Sequence, residues 1–475
     1  MSRETKLVKN TFILSIGTFL PKLASFVTLP ILTACLSKEQ YGTYDLVTIL
    51  VSFIMPVMTL QVHTAAFRFL IEHHNDRNLA KLYLSNIAAF VIPIGIATMT
   101  IMFFFLPIRD VRLRLLVCVY LFVDILVSEV RQITRGMARN LDYSISSITS
   151  AFTKMAMALL LVQCLRYELN GAVLALTLGP TFSLLFLIFR VKVYELIDFR
   201  LVSWKVLKEM LLYSWPMVPN NMAGWVIRAS DRVIVSAFLG LAANAGLAVA
   251  HKLPNLLLLA QGTFNMSWQE SASIASKDGD AGAYYSKMFT TMANFYAGCL
   301  ILIVAATPLL FRLLIRGNYS EAYPQMPILF SATFFSCMSG FLGGIYIACK
   351  ATRSVGVTTI LTAVCNIVVN LALIKFIGVY AATVSTLISF IFLLIYRMAD
   401  IEKHVKIRYN IPRFLAAVMA MLIGYGFFYL NTPVFNVINL CYAIGACCFL
   451  NWRMVVVMGA RAKKFFQRVF TNSQR

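Results

Sequence analysis

Runs of about 20 apolar residues, parted by short polar stretches, recur from one end of the chain to the other. A helix rises about 1.5 Å per residue, so such a run spans the ~30 Å hydrocarbon core of a bilayer. The pattern predicts spans near 11–36, 42–62, 82–106, 114–131, 146–165, 171–190, 211–239, 246–266, 289–309, 323–348, 355–374, 378–397, 413–430 and 433–452. The expected fold is therefore an all-α polytopic membrane protein with fourteen transmembrane helices. Composition agrees: 60% of the 475 residues are apolar and 13% are charged, against about 45–50% and 25% in soluble domains. The first run follows Arg3, Lys6 and Lys9 and contains Pro21, Lys22 and Pro30 without a small-residue cleavage site, so it reads as a retained span.

A net charge of +22 would suggest nucleic acid in a soluble protein. Its distribution gives another reading, and no nucleic-acid partner is expected. With the N-terminus inside, cytoplasmic segments hold about 29 Lys and Arg, outer loops about 8, and the spans the remainder. The densest clusters, at 190–208, 397–413 and 453–475, fall on the inner side. Both termini are expected in the cytoplasm. Basic amphipathic stretches such as 67–83 and 459–470 suit contact with anionic membrane lipids. The ten cysteines show no CxxC pair and read as buried free thiols. His73 and His74 lack further ligands at helical spacing, so neither a metal site nor another cofactor is expected.

The chain also resembles itself. "GAVLALTLGPTFSLLFLIFR" (171–190) matches "GVYAATVSTLISFIFLLIYR" (378–397), with Gly171/Gly378 opening the two spans and Arg190/Arg397 closing them. "ILTACLSKEQYGTY" (31–44) matches "IVSAFLGLAANAGL" (234–247) at nearly the same offset of about 205 residues. These matches predict two six-helix lobes in parallel repeat, 1–191 and 211–397, joined by a cytoplasmic linker at 192–210. Two further helices and a basic tail occupy 398–475. They also require span seven to run unbroken through Arg228–Arg232. Prolines at matching places, Pro21 and Pro30 in span one and Pro216 and Pro219 in span seven, suit either moving gates or static kinks.

Five basic residues lie inside spans: Lys22, Lys154, Arg228, Arg232 and Lys252. Each costs about 2.5–3.5 kcal/mol at mid-bilayer on insertion scales, so none should face lipid. Asp231 is three residues from Arg228 and can pair with it on one helical face. Asp45, Asp124 and Glu129 are the other carboxylates, and His251 adjoins Lys252. Two arrangements satisfy these charges. One is a set of interhelical ion pairs such as Lys154 with Asp124. The other, favoured here, is a water-filled chamber with a basic lining, suited to a phosphate or pyrophosphate group.

"YSWPMVPNNMAGWVIRASDRVIVSAFLG" (213–240), "FNMSWQESAS" (264–273), "RGNYSEAYPQMPIL" (316–329) and "VCNIVVNLALIKFIGVYAATVSTLIS" (364–389) resemble the Wzx-type flippases of O-antigen and exopolysaccharide synthesis. These belong to the MATE-like (MOP) superfamily, which also holds the lipid II flippases. The resemblance implies a bacterial cytoplasmic (inner) membrane, a V-shaped pair of lobes and alternating access. It implies as cargo an undecaprenyl-pyrophosphate-linked oligosaccharide, moved from the inner to the outer leaflet for O-antigen, capsule or exopolysaccharide synthesis. No bond in the cargo is broken, so the protein is not expected to be an enzyme. Lys22 and Lys252 match basic cavity positions of the lipid II flippases, and Arg228, Arg232 and Lys154 complete the expected substrate-binding set. Asp124, Asp231, Asp45 and His251 are the candidates for ion coupling, since no nucleotide-binding loop is present. A polysaccharide polymerase and a chain-length regulator are the expected protein partners of a monomer.

Two other readings compete. An ion-coupled multidrug or cation antiporter of the same superfamily requires a free, essential carboxylate among Asp45, Asp124 and Asp231. A polytopic polymerase or glycosyltransferase requires a large outer loop or an acidic catalytic loop, and the sequence shows neither.

Overall fold

The computed structural model describes residues 3–71, 76–106, 108–276, 280–452 and 456, and His73 and His74 lie outside them. Among the described residues the regular structure is helical. In chain order the first helices are α1 (Arg3–Cys35), α2 (Lys38–Met58), α3 (Val62–Ile71), α4 (Arg77–Phe105), α5 (Val111–Gly136), α6 (Asn140–Ala158) and α7 (Glu168–Leu187). Then come α8 (Trp204–Ser214), α9 (Met217–Leu239), α10 (Leu241–Ala250), α11 (Asn255–Ala275) and α12 (Ala281–Leu314). The last are α13 (Met326–Ala348), α14 (Thr352–Ile377), α15 (Tyr380–Asp400), α16 (Ile411–Leu430) and α17 (Pro433–Leu450).

Eleven helices among the described residues are long and apolar enough to cross a membrane, which makes this a multi-pass membrane protein. The other three expected spans fall on α5, on α9 and on the α10–α11 pair. α5 carries Asp124, Glu129, Arg131 and Arg135, α9 carries Arg228, Asp231 and Arg232, and α10 is only ten residues long. Helix ends follow local chemistry. Ser37 and Gln40 form a reciprocal capping box at the start of α2. Asp76 and Asp110 accept backbone N–H bonds at the starts of α4 and α5. Gly240, at φ 88°, ends α9 in a conformation that favours glycine.

The chain divides into two compact units, Met1–Ala248 with Leu313–Tyr319, and Val249–Arg312 with Ser320–Arg475. In the first, Val51, Leu70, Leu84, Leu121, Ile133 and Val173 join the core between α2 and α7. Small residues let helices approach closely: a Cβ on Gly17 would meet Ser144 at 2.3 Å, and one on Gly179 would meet Lys154 at 2.2 Å. The stretch 198–203 is held against α4, where Ser203 N–H donates to Asn86 (2.8 Å) and Asp198 N–H donates to Ser85 (2.8 Å). In the second unit, Trp268 of α11 stacks on Phe341 of α13 at 4.3 Å and donates Nε1–H to the Phe341 carbonyl (2.9 Å). α13 is the most buried span, as expected of a helix apolar on every side.

All ten cysteines are free. Cys118 and Cys337 are buried, five others are half-buried, and Cys164, Cys441 and Cys448 are exposed, so the expectation of buried thiols holds at two of the ten.

Candidate functional site

α9 runs without a break through Arg228–Arg232, as the repeat requires. The side chain of Arg228 lies outside the described residues, so its expected pairing with Asp231 does too; Asp231 itself is 1% exposed. Arg232 instead meets a partner from another helix: its Nη1 lies 2.5 Å from Oδ2 of Asp45 on α2. Both side chains are below a tenth exposed. Two residues expected in different roles, cargo cation and coupling carboxylate, neutralise each other here. The physical reason is burial, because neither charge is tolerable alone away from water.

The same contact zone of α2 and α9 is reinforced nearby. Phe53 packs on Trp225 at 4.8 Å, and Asn244 Nδ2 donates to the Gly42 carbonyl at 3.0 Å. Gly42 is obligatory there, since a Cβ would fall 1.9 Å from the Leu241 carbonyl oxygen. Tyr41 stacks on Tyr44 and meets Tyr319 edge-on. The backbone of Arg316 donates to Thr33 Oγ1 at 3.0 Å, so the 315–319 loop is fixed to the ends of α1 and α2.

Lys22 behaves differently. It follows Pro21 inside α1, is half-buried, and its ammonium has no hydrogen bond or ion pair among the described residues. Lys154 packs its stem against Gly179 and holds its ammonium 5.9 Å from the Tyr120 ring centroid. Asp124 is half-buried within electrostatic reach of Lys154 and Arg131, but forms no ion pair among the described residues. The specific Lys154–Asp124 bridge therefore does not form. His251 and Lys252 sit in the non-helical turn between α10 and α11, so span eight is interrupted at its basic residue.

Two buried polar groupings escape sequence reasoning. His63 Nδ1 on α3 lies 2.9 Å from Glu129 Oε1 on α5, with both residues buried. Arg131 Nε donates to Ser146 Oγ (2.9 Å) and its Nη2 to Ser183 Oγ (2.8 Å), tying α5 to α6 and α7. The available signal was a carboxylate and an arginine two residues apart within an apolar helix. Nothing local marked His63 as the partner.

Residues 7–272 match the polysaccharide biosynthesis protein family. The chain belongs to that family. No curated protein matches the sequence. Solved structures share the family member's fold at low identity. The lipid II flippase MurJ in its inward closed conformation superposes with a TM-score of 0.73 at 15% identity, covering 94% of this chain and 100% of that one. An inward-facing MATE-family multidrug resistance transporter of the MOP superfamily gives 0.67 at 12% identity, covering 83% and 98%. A MOP superfamily transporter from Pyrococcus furiosus, described as having a binding pocket of reversed polarity, gives 0.56 at 12% identity, covering 83% and 95%.

Proposed function

We propose that this member of the polysaccharide biosynthesis family is a flippase for a lipid-linked oligosaccharide, and not an enzyme. It moves an undecaprenyl-pyrophosphate-linked repeat unit from the inner to the outer leaflet of the cytoplasmic membrane by alternating access, for O-antigen, capsule or exopolysaccharide synthesis. Fourteen spans carry this activity, with lobes 1–191 and 211–397, a linker at 192–210, and both termini in the cytoplasm. The observation that most supports an anionic cargo is Lys22, a half-buried cation well inside an apolar helix with no carboxylate partner among the described residues. An uncompensated ammonium there is tolerable where water or an anion reaches it.

Lys22, Lys252, Lys154 and Arg228 hold the pyrophosphate by charge-assisted hydrogen bonds. Arg232 joins them only in a state where its pair with Asp45 has opened. Asp124, Asp231 and His251 stay as coupling candidates, while Asp45 is engaged in this conformation. The protein acts as a monomer beside a polymerase and a chain-length regulator. The antiporter reading rests on Asp124, a half-buried carboxylate with no ion pair among the described residues.

Export of surface polysaccharide in a deletion strain complemented with Lys22→Ala, Lys252→Ala or Asp124→Asn separates the readings. The flippase reading expects both lysine variants to lose export, with lipid-linked repeat units accumulating on the inner leaflet. Full export by both lysine variants would overturn the flippase reading, and ion-driven drug efflux that Asp124→Asn abolishes would establish the antiporter instead.

A further inference from the structure

The break between α2 and α3 and a buried titratable pair lie side by side. Leu60 and Gln61 both occupy the left-handed region, at φ 46° and 54°, where residues other than glycine are strained. Pro56, in the last turn of α2, removes one backbone donor just ahead of them. α3 begins at Val62, and its second residue is His63. The ring of His63 joins Glu129 of α5 at 2.9 Å in a site that leaves the two residues 7% and 2% exposed. The other oxygen of Glu129, Oε2, is buried without a hydrogen-bond partner.

A hinge is a short run that absorbs a backbone change while its flanking helices stay rigid. Here its first turn on one side is held by a pair whose charge depends on a single proton. With that proton present, imidazolium and carboxylate cancel. Without it, a carboxylate with an orphaned oxygen is left where water does not reach, and the contact turns from favourable to costly. Water must then enter, and the break ahead of α3 lets that helix tilt without unwinding α2.

We propose that His63 and Glu129 form a proton-binding site that sets the angle at the Leu60–Gln61 hinge. α3 is clamped to α5 while the shared proton is held, and released when it leaves. The site names the coupling ion for the transport proposed above, and only that purpose rests on the flippase reading; the clamp stands independently of any cargo.

The other charged and titratable groups around α3 are occupied elsewhere. On α5, Arg131 bonds to Ser146 and Ser183, and Arg135 lies over the Phe67 ring at 4.6 Å. On α4, Lys81 pairs with Asp198, and Tyr83 packs against Phe69. On α8, Tyr213 packs against Phe69, and Glu209 acts on Tyr83. On α9, Met217 meets Thr64. Arg68 of α3 is five residues beyond His63 and points about 140° away around the helix. The shared proton is therefore governed mainly by the two partners themselves.

The test uses the full chain in lipid nanodiscs with no cargo, followed by amide hydrogen exchange of residues 59–71 and corrected for intrinsic exchange. In the wild type, protection of this segment falls by about tenfold between about pH 6 and pH 9. H63Q and E129Q abolish that pH dependence while peptides from α7, in the same compact unit, keep wild-type protection. A flat wild-type profile, or an E129Q profile that still follows the wild type, overturns the proposal. Should E129Q not fold, as the α7 peptides would reveal, H63Q carries the same comparison. The exchange measurement contains no cargo, so its failure overturns the clamp alone, while export by the lysine variants tests the flippase reading separately.

Discussion

Arg232 and Asp45 are 187 residues apart in the chain and 2.5 Å apart in the structure. The pair ties α9, the seventh expected span, to α2, the second, and is sealed by the Phe53–Trp225 and Gly42–Asn244 contacts around it. Opening it requires water to replace the lost partner on each side. The contact therefore discriminates between conformations more sharply than its net contribution to stability would suggest.

Removing one partner strands the other. Asp45→Leu and Arg232→Met should each destabilise the protein by about 3–5 kcal/mol, whereas the apolar double variant Asp45→Leu/Arg232→Met should recover most of the loss. Heat-induced unfolding in detergent, combined as a double-mutant cycle, measures this. Additive losses in the double variant would mean that the two charges do not act as a pair.

Gly344 lies against Trp268, and a Cβ there would approach the indole Cδ1 at 2.5 Å. The indole is held by its bond to the Phe341 carbonyl and by stacking on Phe341, so it has little room to yield. Gly344→Ala should cost about 1–3 kcal/mol by overpacking. Thermal unfolding monitored by tryptophan fluorescence reads the loss, and an unchanged transition would show that α11 shifts to make space.

Asp198 lies outside the spans. The Lys81 ammonium (3.0 Å), then the Arg200 backbone N–H (3.1 Å), hold its carboxyl below the usual carboxylate range. A lowered folded-state pKa gives stability that is present above the unfolded value of about 3.9 and lost as pH falls through the folded value. Acidification through that window should loosen the 198–203 segment, and Asp198→Asn should remove the acid transition. Fluorescence of the exposed Trp204 at the segment's end follows both, and an acid transition that persists in the variant would assign it to another group.

How far the sequence reaches depends on the range of each interaction. The continuity of α9 is legible because apolar residues flank Arg228–Arg232 on both sides and the match of 234–247 to 31–44 fixes the register. The partner of Arg232 is not legible: helical spacing offers Asp231 to Arg228 and says nothing of a carboxylate on α2. Proline marks the region near the α10–α11 turn through Pro254, yet the interruption falls at His251–Pro254, beside the lysine that the resemblance singled out. The break at Leu60–Gln61 has no glycine to announce it. Glu129 stands out as a charge in an apolar helix, but its histidine comes from α3, which burial alone brings into reach.

The two arginines that close the matched spans have met different fates. Arg190 pairs with Asp142, while Arg397 is satisfied by Ser339, Thr358 and Thr359 without a carboxylate among the described residues. One guanidinium thus rivets α13, α14 and α15 together through neutral oxygens. These three helices should melt as a single cooperative block, and a cut anywhere between 339 and 397 would forfeit the whole block rather than its nearest turn.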